Sequence, residues 1–403
     1  MLADESLRES ARYMMDRIRT ICEEFGPRRP GSEGEKRCQE FLRDELAGAG
    51  LGPVLEPFPV SQTAFMTAPM ISGYLGLAAI PCFWISPILS TGLTLLAVMV
   101  FLSEIGFYRH ILTPFFPQHT SYNLYAALAP SGAVKRRIIL AGHADAACEW
   151  RYQERFPSVF FLCGLFAVGS VFCLFLISLI TAVFHGLHAP TDGVWWYVGL
   201  GQFIALPGAF VAATFTRLNV VAPGAVDNLT GALMAVGLAR QICKDALSLE
   251  NTEVVFMVTG SEEAGLVGAD AFARRHKDEW KDIETVFIAI ESFRDLDYLM
   301  VYDRDMNGRI RHHPGVCALL QNAMKKCGIH HGLGCVTVGS TDAAATARLG
   351  IPSGALVGMD PTPAHYYHCR RDTWQILDEE CLFKAAQVLT TALQDYDRNG
   401  LPT

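Results

Sequence analysis

The sequence predicts an α/β fold, a mixed and largely parallel sheet flanked by helices, with about four transmembrane helices inserted into it. Three observations carry this. Short β-rich runs alternate with helical stretches, as in sheets covered on both faces. Long segments hold no charge at all. Side chains that can hold metals recur where predicted strands end. With 403 residues, 51% hydrophobic and only 18% charged, the chain must bury a large apolar area, which excludes a disordered or collagenous chain and a disulfide-stapled miniprotein.

The elements follow in order. SLRESARYMMDRIRTICEEF and SEGEKRCQEFLRDELAGAG read as amphipathic helices. The second starts at Ser32 with Glu35 three residues on, a capping box, and ends at Gly48 and Gly50. Strands are predicted at PVLEPFPV, SYNLYAALA, RRIILAGHAD, TEVVFMVTG, ETVFIAIES and GVCALL.

No charged residue occurs from Phe65 to Ser103, from Phe156 to Thr191, or from Gly193 to Thr216. A bilayer core of ~30 Å needs about 20 apolar residues as helix. Residues 88–107 and 158–183 meet that readily; 66–85 and 194–215 do so despite internal Gly, Pro and Gln202. The other reading, buried core helices or an oligomer interface, sits poorly with 36 consecutive uncharged residues, 156–191. The stretches form two hairpins within one domain. The predicted parts are an α/β-domain segment at 1–63, a hairpin at 64–110, domain again at 111–155, a second hairpin at 156–217, and the rest of the domain at 218–403.

Charge and cysteine bound the partners. The net charge is -8 and no Lys/Arg-rich run exists, so nucleic acid is not an expected partner. The bilayer is. Twelve cysteines without a C-x-x-C pair suit free thiols in a reducing compartment. The N-terminal stretch has no apolar run before a small-residue cleavage site, so no signal peptide is expected. Arg109, Arg151, Arg155 and Arg217 flank the spans on the domain side, while the far loops near 82–87 and 184–193 hold no Lys or Arg. The positive-inside rule then puts the domain in the cytoplasm of a multi-pass membrane protein.

The chemistry-bearing residues are His143 and Asp145 in IILAGHADA, Asp227 in GAVDNLTGA, Glu262 and Glu263 in VTGSEEAGLVGA, Glu291 in FIAIESF, and His368 in HYYHCRRDTW. Ligands of open α/β sheets bind at the carboxyl ends of strands, so one pocket can gather all of them. Asp342 in GSTDAAATARLGIPSGAL reads either as pocket lining or as part of a helix cap, and Tyr366 and Tyr367 as substrate contacts or packing. No G-x-S-x-G, H-E-x-x-H, P-loop or G-x-G-x-x-G motif occurs.

In this order the motifs resemble peptidase family M28, co-catalytic zinc peptidases with many aminopeptidases. The resemblance covers GPRRPGSEGEKRCQEFL, about 121–145, and about 223 to the C-terminus. It implies a zinc exopeptidase-like fold and two Zn²⁺ ions, with Co²⁺ or Mn²⁺ as substitutes. It also implies metal ligands His143, Asp227 (bridging), Glu263, Glu291 and His368, Glu262 as general base, and Asp145 as an orienting aspartate. The implied activity is hydrolysis of peptide substrates by an exopeptidase, an aminopeptidase. Alternatives on the same centre are a carboxypeptidase, a dipeptidase or another amidohydrolase; outside enzymes, a non-catalytic receptor or scaffold. Two features depart from the family pattern: Glu291 stands where its aminopeptidases usually carry Asp, and 84 positions separate His143 from Asp227.

Overall fold

The computed structural model describes every residue except Met1, Leu187, Ala189, Thr191, Asp192, Asp282, Asn307, Val336, Pro363 and Thr403. The chain divides into two compact units. Unit 1 is Met1–Gln62, Gln118–Ala147 and Val221–Thr403; unit 2 is Thr63–Pro117 and Cys148–Val220.

The strands are β1 Val54–Ser61, β2 Gln118–Leu128, β3 Arg136–His143, β4 Cys148–Trp150, β5 Thr216–Val221, β6 Thr252–Thr259, β7 Glu284–Glu291, β8 Leu299–Asp305, β9 Ile310–Arg311, β10 Leu333–Cys335 and β11 Ser353–Gly358. Nine form one sheet in the order β1-β2-β6-β3-β7-β11-β8-β10, with β9 on β8; β4 and β5 pair separately. The centre, β6-β3-β7-β11, is parallel, and the flanks are mixed. The fold is thus a mixed α/β sheet flanked by helices, as expected.

Sequence pattern explains these positions. The central strands are near-continuous Val, Ile, Phe and Ala, and are buried on both faces. At the edge, β1 alternates instead, with Phe58 and Val60 buried and Pro57 and Pro59 exposed. Proline lacks an N–H to donate and is at home on an edge strand.

One predicted strand is a helix. GVCALL lies in the helix Pro314–Lys326, which begins with proline in its first turn and buries Val316, Leu319, Leu320 and Ala323. That 3.6-residue spacing needs a longer window than six apolar residues supply. β8 was not expected from the sequence. The GSTDAAATARLGIPSGAL segment forms the helix Asp342–Arg348, with the Thr341 side chain accepting from the Ala343 N–H, followed by β11.

Among the described residues, unit 2 holds four helices long and apolar enough to cross a membrane: Ala64–Cys82, Pro87–Gly106, Pro157–His185 and Gly193–Ala213. Phe161, Leu162, Leu165, Leu176, Val183 and Phe184 are exposed along the third. Inside the bundle, Ser90 Oγ meets Ser178 Oγ at 2.8 Å, and Ser72 Oγ donates to Ala97 O at 2.9 Å. Small hydroxyls of this kind join membrane helices. The fourth helix is interrupted by a 3₁₀ turn at Gln202–Ala205 ahead of Pro207. Of the expected far loop at 184–193, positions 187, 189, 191 and 192 lie outside the described residues.

The unit boundaries differ from the expected ones by up to eight residues, for a packing reason. Leu112 clusters with Ala64, Ala68 and Val100. Trp150 stacks on Phe160 at 5.4 Å and leans on Phe215. Residues 111–117 and 148–155 therefore pack with the inserted helices.

Candidate metal centre

The three central strands bring their carboxyl ends side by side. His143 closes β3 opposite Thr259 of β6, Glu262 and Glu263 follow β6, and Glu291 closes β7. Asp227 lies in the turn 225–229 that opens the helix Thr230–Lys244, and His368 on a loop beyond β11. Ser261, Ser292 and His368 all adopt left-handed backbone, φ 55, 54 and 50. Such conformations cost about 1–3 kcal/mol each in non-glycine residues and cluster at functional sites.

These side chains converge. Asp227 divides its carboxylate between two imidazoles: Oδ1 lies 3.4 Å from His143 Nε2 and Oδ2 lies 3.2 Å from His368 Nε2. Glu291 Oε2 stands 3.8 Å from His143 Nε2, and Glu263 Oε1 3.2 Å from His368 Nε2. Glu262 Oε2 is 3.8 Å from His143 Nε2. The sets His143, Asp227, Glu291 and Asp227, Glu263, His368 each place ligand atoms within 4.8 Å of one another, as do His143, Glu262 and Glu263.

The donor set fits divalent metal ions. Asp227 Oδ2, Glu263 Oε1 and Glu291 Oε1 are buried and accept no hydrogen bond. Orphaned carboxylate oxygens of this kind are costly without a cation. His143 Nδ1 faces the Asp145 carbonyl at 3.2 Å and its carboxylate at 3.3 Å. With its proton on Nδ1 toward Asp145, the ring would present the Nε2 lone pair to a metal. Imidazole and carboxylate without thiolate suit zinc.

Electrostatics follow from the crowding. Burial, with Glu263, Asp342 and Glu291 nearby, pushes the Glu262 carboxyl well above its ordinary range, against the pull of His143. Asp227 is the opposite case: burial opposes ionisation, but the His143 and His368 imidazoles facing its two oxygens hold it well below. Burial opposes protonation of His368 as well, yet Glu263 and Asp227 raise it to about 9.

Three further residues shape the site. Asp145 accepts the backbone N–H groups of Glu262 at 3.0 Å and Glu263 at 2.9 Å, which lets these adjacent side chains leave the loop in different directions. Asn228, which follows Asp227 directly, donates to Glu291 Oε2 at 2.5 Å while its Oδ1 accepts from Gly231 and Ser292 N–H. One oxygen of the unusually long residue 291 is thereby committed. Arg28 is 1% exposed and donates to Ala144 O and Gly224 O, both at 2.8 Å, tying the loops of His143 and Asp227 together. Neither Arg28 nor Asp372, four positions after His368, was anticipated; an aspartate or arginine in a polar loop carries no mark of the backbone it will hold.

The remaining expectations divide. Asp342 is buried and accepts the Thr259 hydroxyl at 2.5 Å. Tyr366 is turned away to Asp295, to which its hydroxyl donates at 2.8 Å, whereas the Tyr367 ring stacks on His368 at 3.9 Å.

Residues 211–393 match the family model described as Peptidase family M28. No curated protein matches the sequence. Among solved structures, the fold is similar to the zinc aminopeptidase BSAP from Bacillus subtilis, with a TM-score of 0.59, 15% identity, and coverage of 96% of this chain and 95% of that one. It is also similar to an aminopeptidase from Aneurinibacillus sp. strain AM-1, with a TM-score of 0.57, 15% identity, and 98% and 96% coverage. Fimbriiglobus ruber glutaminyl cyclase gives a TM-score of 0.56, 14% identity, and 98% and 95% coverage. Residues 211–393 thus match peptidase family M28, within a chain whose fold is that of zinc aminopeptidases and glutaminyl cyclases.

Proposed function

We propose that the chain is a membrane-embedded di-zinc metallopeptidase that removes residues from the amino end of peptides. The observation that best supports two ions is the division of the Asp227 carboxylate between His143 and His368. In this reading His143, Asp227 and Glu291 hold one ion, and Asp227, Glu263 and His368 the other. Bound zinc supplies Lewis acidity toward a peptide carbonyl and lowers the pKa of water.

The chain's own residues do the rest. Glu262 accepts the proton of the attacking water and delivers it to the departing amine. Its burial suits that exchange, because a carboxyl in its ordinary range is a poor proton donor near neutral pH. Asp145 orients both His143 and the 262–263 backbone. The four apolar helices of unit 2 anchor the protein, with the peptidase unit in the cytoplasm on the positive-inside argument from Arg109, Arg151, Arg155 and Arg217.

A second reading is favoured by the glutaminyl cyclases among the similar folds: cyclisation of an N-terminal glutamine on the same centre. One experiment separates the two. Full-length protein with zinc is incubated with free-amine, N-blocked and N-terminal-glutamine peptides, and products are read by mass spectrometry. Stepwise loss of N-terminal residues supports the aminopeptidase; loss of ammonia without cleavage supports the cyclase. Cleavage from the other end, or of blocked peptides alone, would sink both.

A further inference from the structure

The loop after β6 shows four successive backbone N–H groups, each ending on a buried side chain. Gly260 donates to Asn123 Oδ1 at 3.2 Å, Ser261 to Glu35 Oε1 at 2.6 Å, and Glu262 and Glu263 to Asp145 at 3.0 and 2.9 Å. Side chains from three other elements thus set this backbone. Ser261 is the residue under strain, at φ 55. A Cβ on Gly260 would meet Tyr122 O at 2.3 Å and Glu35 Oε1 at 3.1 Å, so the Glu35 carboxylate lies hard against the loop.

Glu35 does more than start a helix. The Ser32 hydroxyl accepts its N–H at 3.3 Å, as a capping box requires, but the return contact goes to the Gly31 N–H at 2.7 Å. Its Oε2 also accepts the Ser121 hydroxyl at 2.9 Å, and its Oε1 the Ser261 hydroxyl at 3.2 Å in addition to the Ser261 N–H. Glu35 is 1% exposed. A helix start can be capped by an exposed glutamate, and burying a carboxylate among neutral donors is costly. The contact that needs this burial is the one to Ser261, 226 positions away.

We propose that Glu35 is a positioning residue: by holding Ser261 in its left-handed conformation, it fixes how the backbone presents Glu262 and Glu263. The proposal rests on the reading of Glu262 as base and Glu263 as ligand. It differs from the role of Asp145, which holds the two glutamate amides themselves, because Glu35 sets the turn that precedes them.

The test uses full-length protein in detergent or nanodiscs and Glu35→Gln, which keeps the shape but replaces one acceptor with a donor. In the metal-free protein, amide hydrogen exchange of 260–263 is expected to quicken by about tenfold or more, while the helix 230–244 is unchanged. With zinc, on a peptide the wild type cleaves, kcat is expected to fall by about 10²-fold, the scale of a small misplacement, with KM and zinc content close to wild type. In a Glu262→Gln background the same change should cost nothing further, because both act through one group. Unaltered exchange with unaltered kcat, or a full additive loss on top of E262Q, overturns the proposal. If E262Q itself turns over normally while E35Q exchange is quickened, the base assignment falls and the loop hold stands. Should E35Q fail to fold, Glu35→Asp withdraws the carboxylate by one methylene, with the same signs expected at smaller size; wild-type exchange and kcat in E35D would equally overturn it.

Discussion

Asp372 accepts the backbone N–H of Val226 at 2.7 Å and that of Asp227 at 3.1 Å, one on each carboxylate oxygen. A completely buried aspartate on the His368 loop thus grips the turn that carries Asp227, whose own carboxylate reaches back to His368 at 3.2 Å. The two loops hold each other. Asp372→Asn turns one acceptor into a donor facing an N–H. Zinc affinity, measured by chelator competition, should fall by roughly 10- to 100-fold, the usual cost of losing a partner behind a metal ligand. Unchanged affinity would mean that the turn at Asp227 holds itself.

Glu262 and Asp227 should separate rate from metal content. Glu262→Gln removes the proton acceptor and no ligand of either ion in the proposed assignment, so turnover should fall by about 10²- to 10⁴-fold at wild-type zinc content. Asp227→Ala removes the carboxylate that both imidazoles face, and at least one ion should be lost with most of the activity. Elemental analysis beside the peptidase assay reads both. An E262Q protein of near-normal rate would defeat the base assignment, and a D227A protein that keeps its full metal content would defeat the bridge.

The buried carboxyls make stability depend on pH in an unusual direction. Burial first, then neighbouring charge, raises Asp342 to about 6 and Asp372 to about 7, each from an ordinary value of 3.8. The folded chain keeps protons that the unfolded chain has already released. Their stabilising contribution is therefore complete below about pH 4 and lost as pH rises through about 7. Metal-free protein should melt at a lower temperature at pH 8 than at pH 6, and zinc should shrink the difference, because nearby positive charge favours the ionised carboxylates. A melting temperature that is level or rises over this interval would contradict these shifts.

Topology is open to cysteine labelling. Seven of the twelve cysteines are exposed or half-buried, and a background with these replaced gives clean reporters. A probe at His188, between the third and fourth apolar helices, should react with an impermeant maleimide added to intact cells if these helices span as proposed. One at Ser131, in unit 1, should react only after lysis. The reverse pattern would overturn the cytoplasmic assignment, and protection of both until lysis would argue against spanning hairpins.

Much of this molecule was legible in its sequence, for physical reasons that are local. The charge-free stretches marked the four apolar helices because composition alone decides which solvent a segment tolerates. The continuous apolar runs marked β3, β6 and β7, and the metal-type residues after them marked a cluster that the fold does bring together, because strand ends in a parallel sheet share one edge. GVCALL failed because six apolar residues fit either period, and its helical face emerges only with Ala323 and the turn begun by Pro314. Segments 111–117 and 148–155 joined unit 2 through the packing of Leu112 and Trp150, which no local pattern encodes. The tertiary structure alone decided what holds the site in place. Glu35, Asn228, Arg28 and Asp372 act on backbone or side chains 63 to 226 positions away, and a hydrogen bond of that span leaves no periodicity, spacing or composition in the chain. Residue types follow from solvent and chemistry and can be read singly; their partners follow from which elements the sheet brings together.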